Sequence, residues 1–191
     1  MKLETERLIL RDFIRADWER VLEYQSDPLY LRYHRRSEPT PESAKEFVGW
    51  FLAQQQQEPR IKFQLAITLK SNNLMIGNCG VRMDKFGAVE ADIGYELDSK
   101  YWNHGYASEA AHAMMDFGFS DFRVHRIWAT CVAENTQSAH VLEKLGMKLE
   151  GKFRENRFYK NRWWDSLMYA ILANEWEAHK DGRQFYTIND E

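Results

Sequence analysis

The sequence predicts an α/β domain in which helices cover the faces of one mixed sheet. Three observations predict it. Segments such as VEADIGYELD (89–98) alternate polar and apolar residues with the period of two that a half-buried strand requires. Others repeat small and apolar residues at helical spacing, as in Ala107, Ala110, Ala111, Met114 and Phe117. The two kinds interleave in the order strand, two helices, three strands, helix, strand, helix, two strands, which builds layers rather than a bundle or a sandwich.

Each element follows from a local signal. LETERLILRDF (3–13) reads as a strand with Leu8 and Leu10 on one face and Arg7, Ile9 and Arg11 on the other. Asp17 opens a short helical stretch, DWERVLEYQSD, which Pro28 ends. A second helix has Thr40 as N-cap, Pro41 in the first helical position and Glu42 and Ser43 in the first turn. Phe47, Val48, Phe51 and Leu52 make its apolar stripe, and QQQQ at 54–57 is its solvated end. KFQLAITL (62–69) and LMIGNCGVRM (74–83) flank KSNN and read as a hairpin. Strand 89–98 places Ile93, Tyr95 and Leu97 on one face and Glu90, Asp92, Gly94 and Glu96 on the other. A helix then starts near residues 104–106 and runs to Ser120, and HRIWATCVA (125–133) is a strand. NTQSAHVLEKLG is a helix entered at Asn135 and ended by Gly146, which suits a left-handed C-terminal position. Segments 148–158 and 163–172 bring the count to about seven strands. With no repeat and no linker, the expectation is one domain over 1–180 and a polar tail over 181–191.

Hydrophobic residues make up 44% and charged residues 29%, a globular profile. A formal charge of −3 argues against general binding to DNA or RNA, which needs an excess of Lys and Arg. Glu4 and Glu6 stand where a signal peptide needs apolar residues, and no segment is long enough to cross a bilayer. The expectation is a cytoplasmic protein with no membrane partner. Cys79 and Cys131 lie in strand-like segments and read as buried small hydrophobes. Six histidines show no zinc spacing, and Glu109 with His112 is half of a di-iron helix motif lacking its second half, so no metal is expected.

The stretch YWNHGYASEA (101–110) puts small residues where a helix begins. The first amides of a helix lack partners and carry the positive end of its dipole, so an anion such as a pyrophosphate fits there. Gly105 and Ala107 leave the approach open. This stretch also resembles the Arg/Gln-x-x-Gly-x-Gly/Ala signature of the GNAT superfamily, in the form common in its RimJ/RimL branch. The resemblance continues through TERLILR (5–11), ADIGYELD (91–98), NTQSAHVLEKLGMKLEG (135–151) and REN with RWWDSLMYAIL, in the branch's order. Trp102 replaces the superfamily's Arg or Gln, as is usual in the branch. Asn103 and His104 replace Gly and Lys, which offers the diphosphate an imidazole donor, and Met147 replaces a Phe.

The resemblance implies a GNAT fold, mostly antiparallel, with a splay between the fourth and fifth strands (89–98 and 125–133), and acetyl-CoA as co-substrate. The pantetheine arm would replace a missing strand neighbour against backbone groups of Ile93, Tyr95 and Leu97. Trp102, Asn103, His104, Gly105, Tyr106, Ala107 and Ser108 would hold the diphosphate. Asn135 would cap its helix and reach the pantetheine.

Acetyl transfer to an amine needs a neutral nucleophile. At pH 7 a Lys-like amine is neutral in about one molecule in two thousand, an α-amine in about one in ten. Glu96, at the strand end beside the pantetheine, is the candidate base, directly or through water. Glu90 and Asp92 share its face and would draw a cationic acceptor, unless all three form a solvated charged face. The resemblance gives Ser138 the role of acid toward the departing thiolate and gives the loop around Tyr33 that of covering the acceptor. A backbone N–H near Tyr95–Leu97 would hold the oxyanion.

No activated Cys or Ser marks an acyl-enzyme, so direct attack by the amine is expected. The branch points to a protein N-terminal α-amine; polyamines or antibiotics as acceptors, and a silent acyl-CoA-binding module, are the alternatives. LYLRYHRRSEP (29–39) would touch RNA through Arg32, Arg35 and Arg36, but reads rather as a solvated loop packing two tyrosines. The aromatic strand 163–172 reads as core or as a homodimer face.

Overall fold

The computed structural model describes residues 1–35 and 38–186, with side chains through Lys180. Arg36 and the last residues of the expected tail lie outside the described residues. One sheet holds β1 (Lys2–Glu4), β2 (Leu8–Arg11), β3 (Lys62–Leu69), β4 (Met75–Arg82), β5 (Glu90–Leu97), β6 (Arg126–Val132), β7 (Lys148–Tyr159) and β8 (Arg162–Leu172). Their spatial order is β1-β2-β3-β4-β5-β6-β8-β7, and every neighbouring pair is antiparallel except β5 with β6.

The eighth strand comes from the opening segment, which is a hairpin and not one strand. Thr5 N–H donates to the Leu8 carbonyl and Leu8 N–H donates to Thr5 Oγ1, both at 3.0 Å. That turn folds Lys2–Glu4 back against Ile9–Arg11. Leu8 and Leu10 are fully buried, as their shared face predicts.

Two cores lie on opposite faces, because neighbouring residues of a strand point to opposite sides. On one face α1 (Asp17–Gln25), α2 (Pro28–Leu31) and α3 (Pro41–Gln55) bury Val21, Tyr24, Tyr30, Val48 and Phe51 against Ala66 and Met75. The reciprocal Thr40–Ser43 capping box fixes the start of α3. On the other face α4 (Tyr106–Ser120) and α5 (Thr136–Lys144) bury Met114, Met115 and Leu142 against Leu65, Ile67 and Ile127. A helix the sequence reading missed, α6 (Ala173–Tyr186), runs on from β8 and buries Trp176 completely. The Trp176 indole N–H donates to Asp116 Oδ1 at 2.9 Å.

Pro28 ends α1 as expected but also begins α2. It is a first-turn residue whose missing N–H costs nothing, and Asp27 caps the helix by accepting from Leu29 N–H at 2.8 Å. Cys79 and Cys131 are buried, and burial pushes their thiols up to about 12 and about 11.

The sheet has one seam. β5 and β6 pair only through Glu90–Arg126, Ala91–Ile127 and Asp92–Trp128, then diverge. α4 packs on both strands and spans the seam. The splay implied by the resemblance is present.

Candidate functional site

The seam opens into a cleft of about 610 Å³ between the C-terminal half of β5 and the starts of α4 and α5. Its first wall is the N-terminus of α4. Gly105 precedes the helix at φ 79°, ψ 0°, with no side-chain cap, and the first intrahelical bond runs from Glu109 N–H to the Gly105 carbonyl at 3.0 Å. The earlier amides of the turn therefore face the cleft with the helix dipole behind them. Gly105 is needed for its conformation more than for space. A Cβ there would meet only Arg7 Nη2, at 3.4 Å, whereas a left-handed backbone disfavours any side chain. Asn103 also sits at positive φ, 62°, which Asn tolerates better than most residues.

The second wall is backbone. Asp98 N–H donates to the Ile76 carbonyl at 2.8 Å, and the β5 ladder with β4 continues without a shift. Backbone directions alternate along a strand, so Ile93, Tyr95 and Leu97 aim their N–H and C=O groups away from β4, into the gap. The Leu97 carbonyl accepts from the Trp102 indole N–H at 2.9 Å, so Trp102 closes the loop and occupies one lone pair of that acceptor. The Ile93 side chain is 3% exposed and belongs to the core, so only its backbone faces the seam.

Across the gap, Asn135 Oδ1 accepts from Ser138 N–H at 3.1 Å and caps α5. Ser138 does not cap its own helix. Its Oγ lies 3.1 Å from the Tyr95 hydroxyl, which also reaches the Ser138 carbonyl at 3.0 Å. Tyr95 thus bridges β5 to α5 over the mouth of the seam. Burial holds its phenol well above the usual range, so it stays protonated and able to donate.

Glu96 points to the opposite face. Tyr24 Oη, Gln25 Nε2 and Asn78 Nδ2 donate to its Oε2 at 3.4, 3.2 and 3.1 Å. All three share one oxygen, and the Tyr30 hydroxyl also bonds the Glu96 carboxyl. A second cavity of about 260 Å³ meets the first at Tyr30, His34 and Glu96. Burial, together with the Glu96 charge, pushes the Tyr24 and Tyr30 phenols up, so both remain neutral. His34 stacks on Tyr30 with ring centroids 4.1 Å apart. Burial, aided by Lys160 and opposed by Glu96, holds it below the ordinary histidine value, so it is uncharged at pH 7.

Trp102, Asn103, Gly105, Tyr106, Ala107, Ser108, Tyr33, Asn135 and Ser138 all line the cleft with Tyr95, Glu96 and Leu97. Glu90 and Asp92 do not. They share the face of Glu96 but lie toward the paired end of β5, about 20 and about 13 Å away along the strand. Glu90 is held by Arg126 at 2.8 Å and Asp92 by Arg82 at 2.9 Å. His104 is turned away too: its Nδ1 lies 2.6 Å from the Trp102 carbonyl.

The cation beside the helix start is instead Arg7, which sequence reading left on a strand face. Arg7 Nη1 donates to the His104 carbonyl at 2.9 Å, and its Nε to Glu109 Oε2 at 2.7 Å. Glu109 also accepts from Thr5 Oγ1 at 2.5 Å. Burial alone would raise the Glu109 pKa, but these donors outweigh it and hold the group below the usual carboxylate range. His112, one turn on from Glu109, pairs with Asp116 at 3.2 Å. Lys144, in the last turn of α5, lines the cleft as well.

Comparison with known proteins gives the same picture. The family model for the acetyltransferase (GNAT) domain matches residues 7–148. The Bacillus subtilis (strain 168) protein named Uncharacterized N-acetyltransferase YnaD is 39% identical over 176 residues, covering 92% of this chain and 99% of that protein. The crystal structure of a GNAT-family acetyltransferase from Bacillus anthracis has a TM-score of 0.79 at 37% identity, covering 91% of this chain and 99% of that one. RimL, a ribosomal-protein α-N-acetyltransferase solved in complex with coenzyme A, shares the fold, with a TM-score of 0.79 at 19% identity, covering 90% of this chain and 98% of that one.

Proposed function

The chain belongs to the acetyltransferase (GNAT) family of acyltransferases, and from that premise we propose that it transfers an acetyl group from acetyl-CoA to a primary amine by direct attack. The acceptor we propose is the α-amine of a polypeptide N-terminus. The carrying observation is the continuity of the seam: one cleft joins the uncapped amides of α4, the unpaired backbone of β5 and the Glu96 carboxylate.

The residues fit the co-substrate. A diphosphate is matched by the amides from Gly105 to Ser108, with Arg7 and Lys144 as nearby cations. An extended amide-bearing arm is matched by the backbone of Ile93 and Tyr95 and by Asn135. Acetyl-CoA supplies the acetyl group as a thioester.

Glu96 takes the proton that the amine loses as the N–C bond forms. Ser138 Oγ gives a proton to sulfur as the C–S bond breaks and takes one back from solvent, with Tyr95 Oη beside it to fix its position. A β5 N–H facing the gap holds the carbonyl oxygen. Within the cleft Glu96 is the one carboxylate among the described lining residues. A single weak base serves an α-amine far more easily than a Lys-like amine, because the neutral fraction at pH 7 differs by about two-hundredfold.

The test is acetyl-CoA-dependent thiol release with α-amine peptides, polyamines and aminoglycosides, alongside calorimetric titration with acetyl-CoA. Micromolar binding and turnover of the peptides are expected. Binding without turnover of any amine would make the chain a silent acyl-CoA module and remove the transferase reading.

A further inference from the structure

Behind Glu96, between α2 and α3, the second cavity carries more information than the transfer chemistry uses. Its far wall is carbon-rich: Leu31, Pro39, Phe47 and Trp50. Trp50 is 72% exposed although it stands beside a concave apolar wall, an arrangement that leaves indole surface in water until something covers it. Phe47 is already braced, edge-on to Phe51 with ring centroids 4.7 Å apart. Among the described lining residues the charges are sparse. Glu96 is the carboxylate at the junction with the cleft, and exposed Arg35 lines the outer part. Lys160 adds a second cation nearby, its Nζ donating to the Leu31 carbonyl at 2.5 Å and its charge felt by His34.

We propose that this cavity is the specificity pocket for the acceptor, and that it selects a monoamine carried on an aromatic or long apolar body, for a polypeptide an N-terminal residue such as Phe, Leu or Met. The proposal rests on the transferase reading above and deepens it. The amine end is placed by Glu96, and the side chain of the first residue covers Trp50 and Phe47. A polyamine fits poorly: its second cation would lie against Arg35 and Lys160 with no second carboxylate among the described lining residues to receive it.

The experiment measures kcat/KM by thiol release for peptides identical except for the first residue (Phe, Leu, Gly or Lys), with spermidine as the dicationic probe. Burial of one apolar side chain predicts about a 10- to 100-fold advantage of Phe and Leu over Gly. Lys and spermidine should fall at or below Gly. Trp50→Ala should bring the Phe-to-Gly ratio to within about threefold, and Arg35→Glu should raise spermidine relative to Phe. Trp50 is largely exposed, so its loss leaves the fold intact, and a circular-dichroism melt checks this. Equal turnover of all peptides overturns the pocket while leaving α-amine transfer standing. Preference for spermidine overturns both the pocket and the acceptor class. Absence of turnover with every amine, despite acetyl-CoA binding, removes the transferase reading and the proposal with it.

Discussion

The two sides of the seam are built from different material. Toward α4 and α5 the cleft presents backbone: uncapped helix amides, strand groups without a partner, and a glycine at positive φ. Toward α2 and α3 the cleft and the cavity behind it present side chains: Glu96 under three donors, Tyr30 stacked with His34, and exposed Trp50. A backbone site recognises what is common to every substrate of a family, whereas a side-chain site can be rewritten without disturbing the sheet. Under the function proposed above, the first would hold the co-substrate and the second would choose the acceptor.

That division can be broken or sharpened by substitution. Glu96→Gln keeps the shape and an acceptor for the three donors but removes the base. A loss of about 10²–10⁴-fold in kcat is expected, with acetyl-CoA affinity unchanged by calorimetry. If affinity falls with kcat, the two sides are not separable. Ser138→Ala should cost less, near 10²-fold in kcat at saturating substrates, because a thiolate with an acid pKa of about 8.5 already leaves readily. Turnover equal to wild type would take Ser138 out of the chemistry and leave it as the anchor of Tyr95. Gly105→Ala acts on the other side alone. Restoring a left-handed backbone with a side chain costs about 1–2 kcal/mol, so the acetyl-CoA Kd should rise about five- to thirtyfold while the ranking of acceptors stays the same. An unchanged Kd would show that the cofactor is not read by this turn.

The same division explains what the sequence made legible. The Gly105 turn, the Asn135 cap and the alternation that aims Glu96 away from Tyr95 are local, and each was readable over a few residues. What escaped reading depends on distance or on a second meaning. Arg7 reaches Glu109 across 102 residues, and no pattern near either one announces it. Pro28 was legible as a stop, but its second meaning as the start of α2 is what carries Tyr30 toward the second cavity. Glu90 and Asp92 show the limit of periodicity: alternation gives the face of a strand correctly but not which end of it is open. The opening hairpin was read as one strand because its polar run Glu4, Thr5, Glu6 and Arg7 holds no Gly, Pro or Asn to mark a turn, and the Thr5–Leu8 bonds reveal the reversal.

Three rungs of pairing between β5 and β6 are all that stitch the sheet's two leaves directly, with α4 laid across them as a spine. Under the proposed reading, a co-substrate lying along the mouth would complete the missing rungs, acting as a splint as well as a reactant. On the proposed reading, the protein's resistance to heat should rise and the exchange of its Ala91 and Asp92 amides should slow as coenzyme concentration increases, before any acceptor is added.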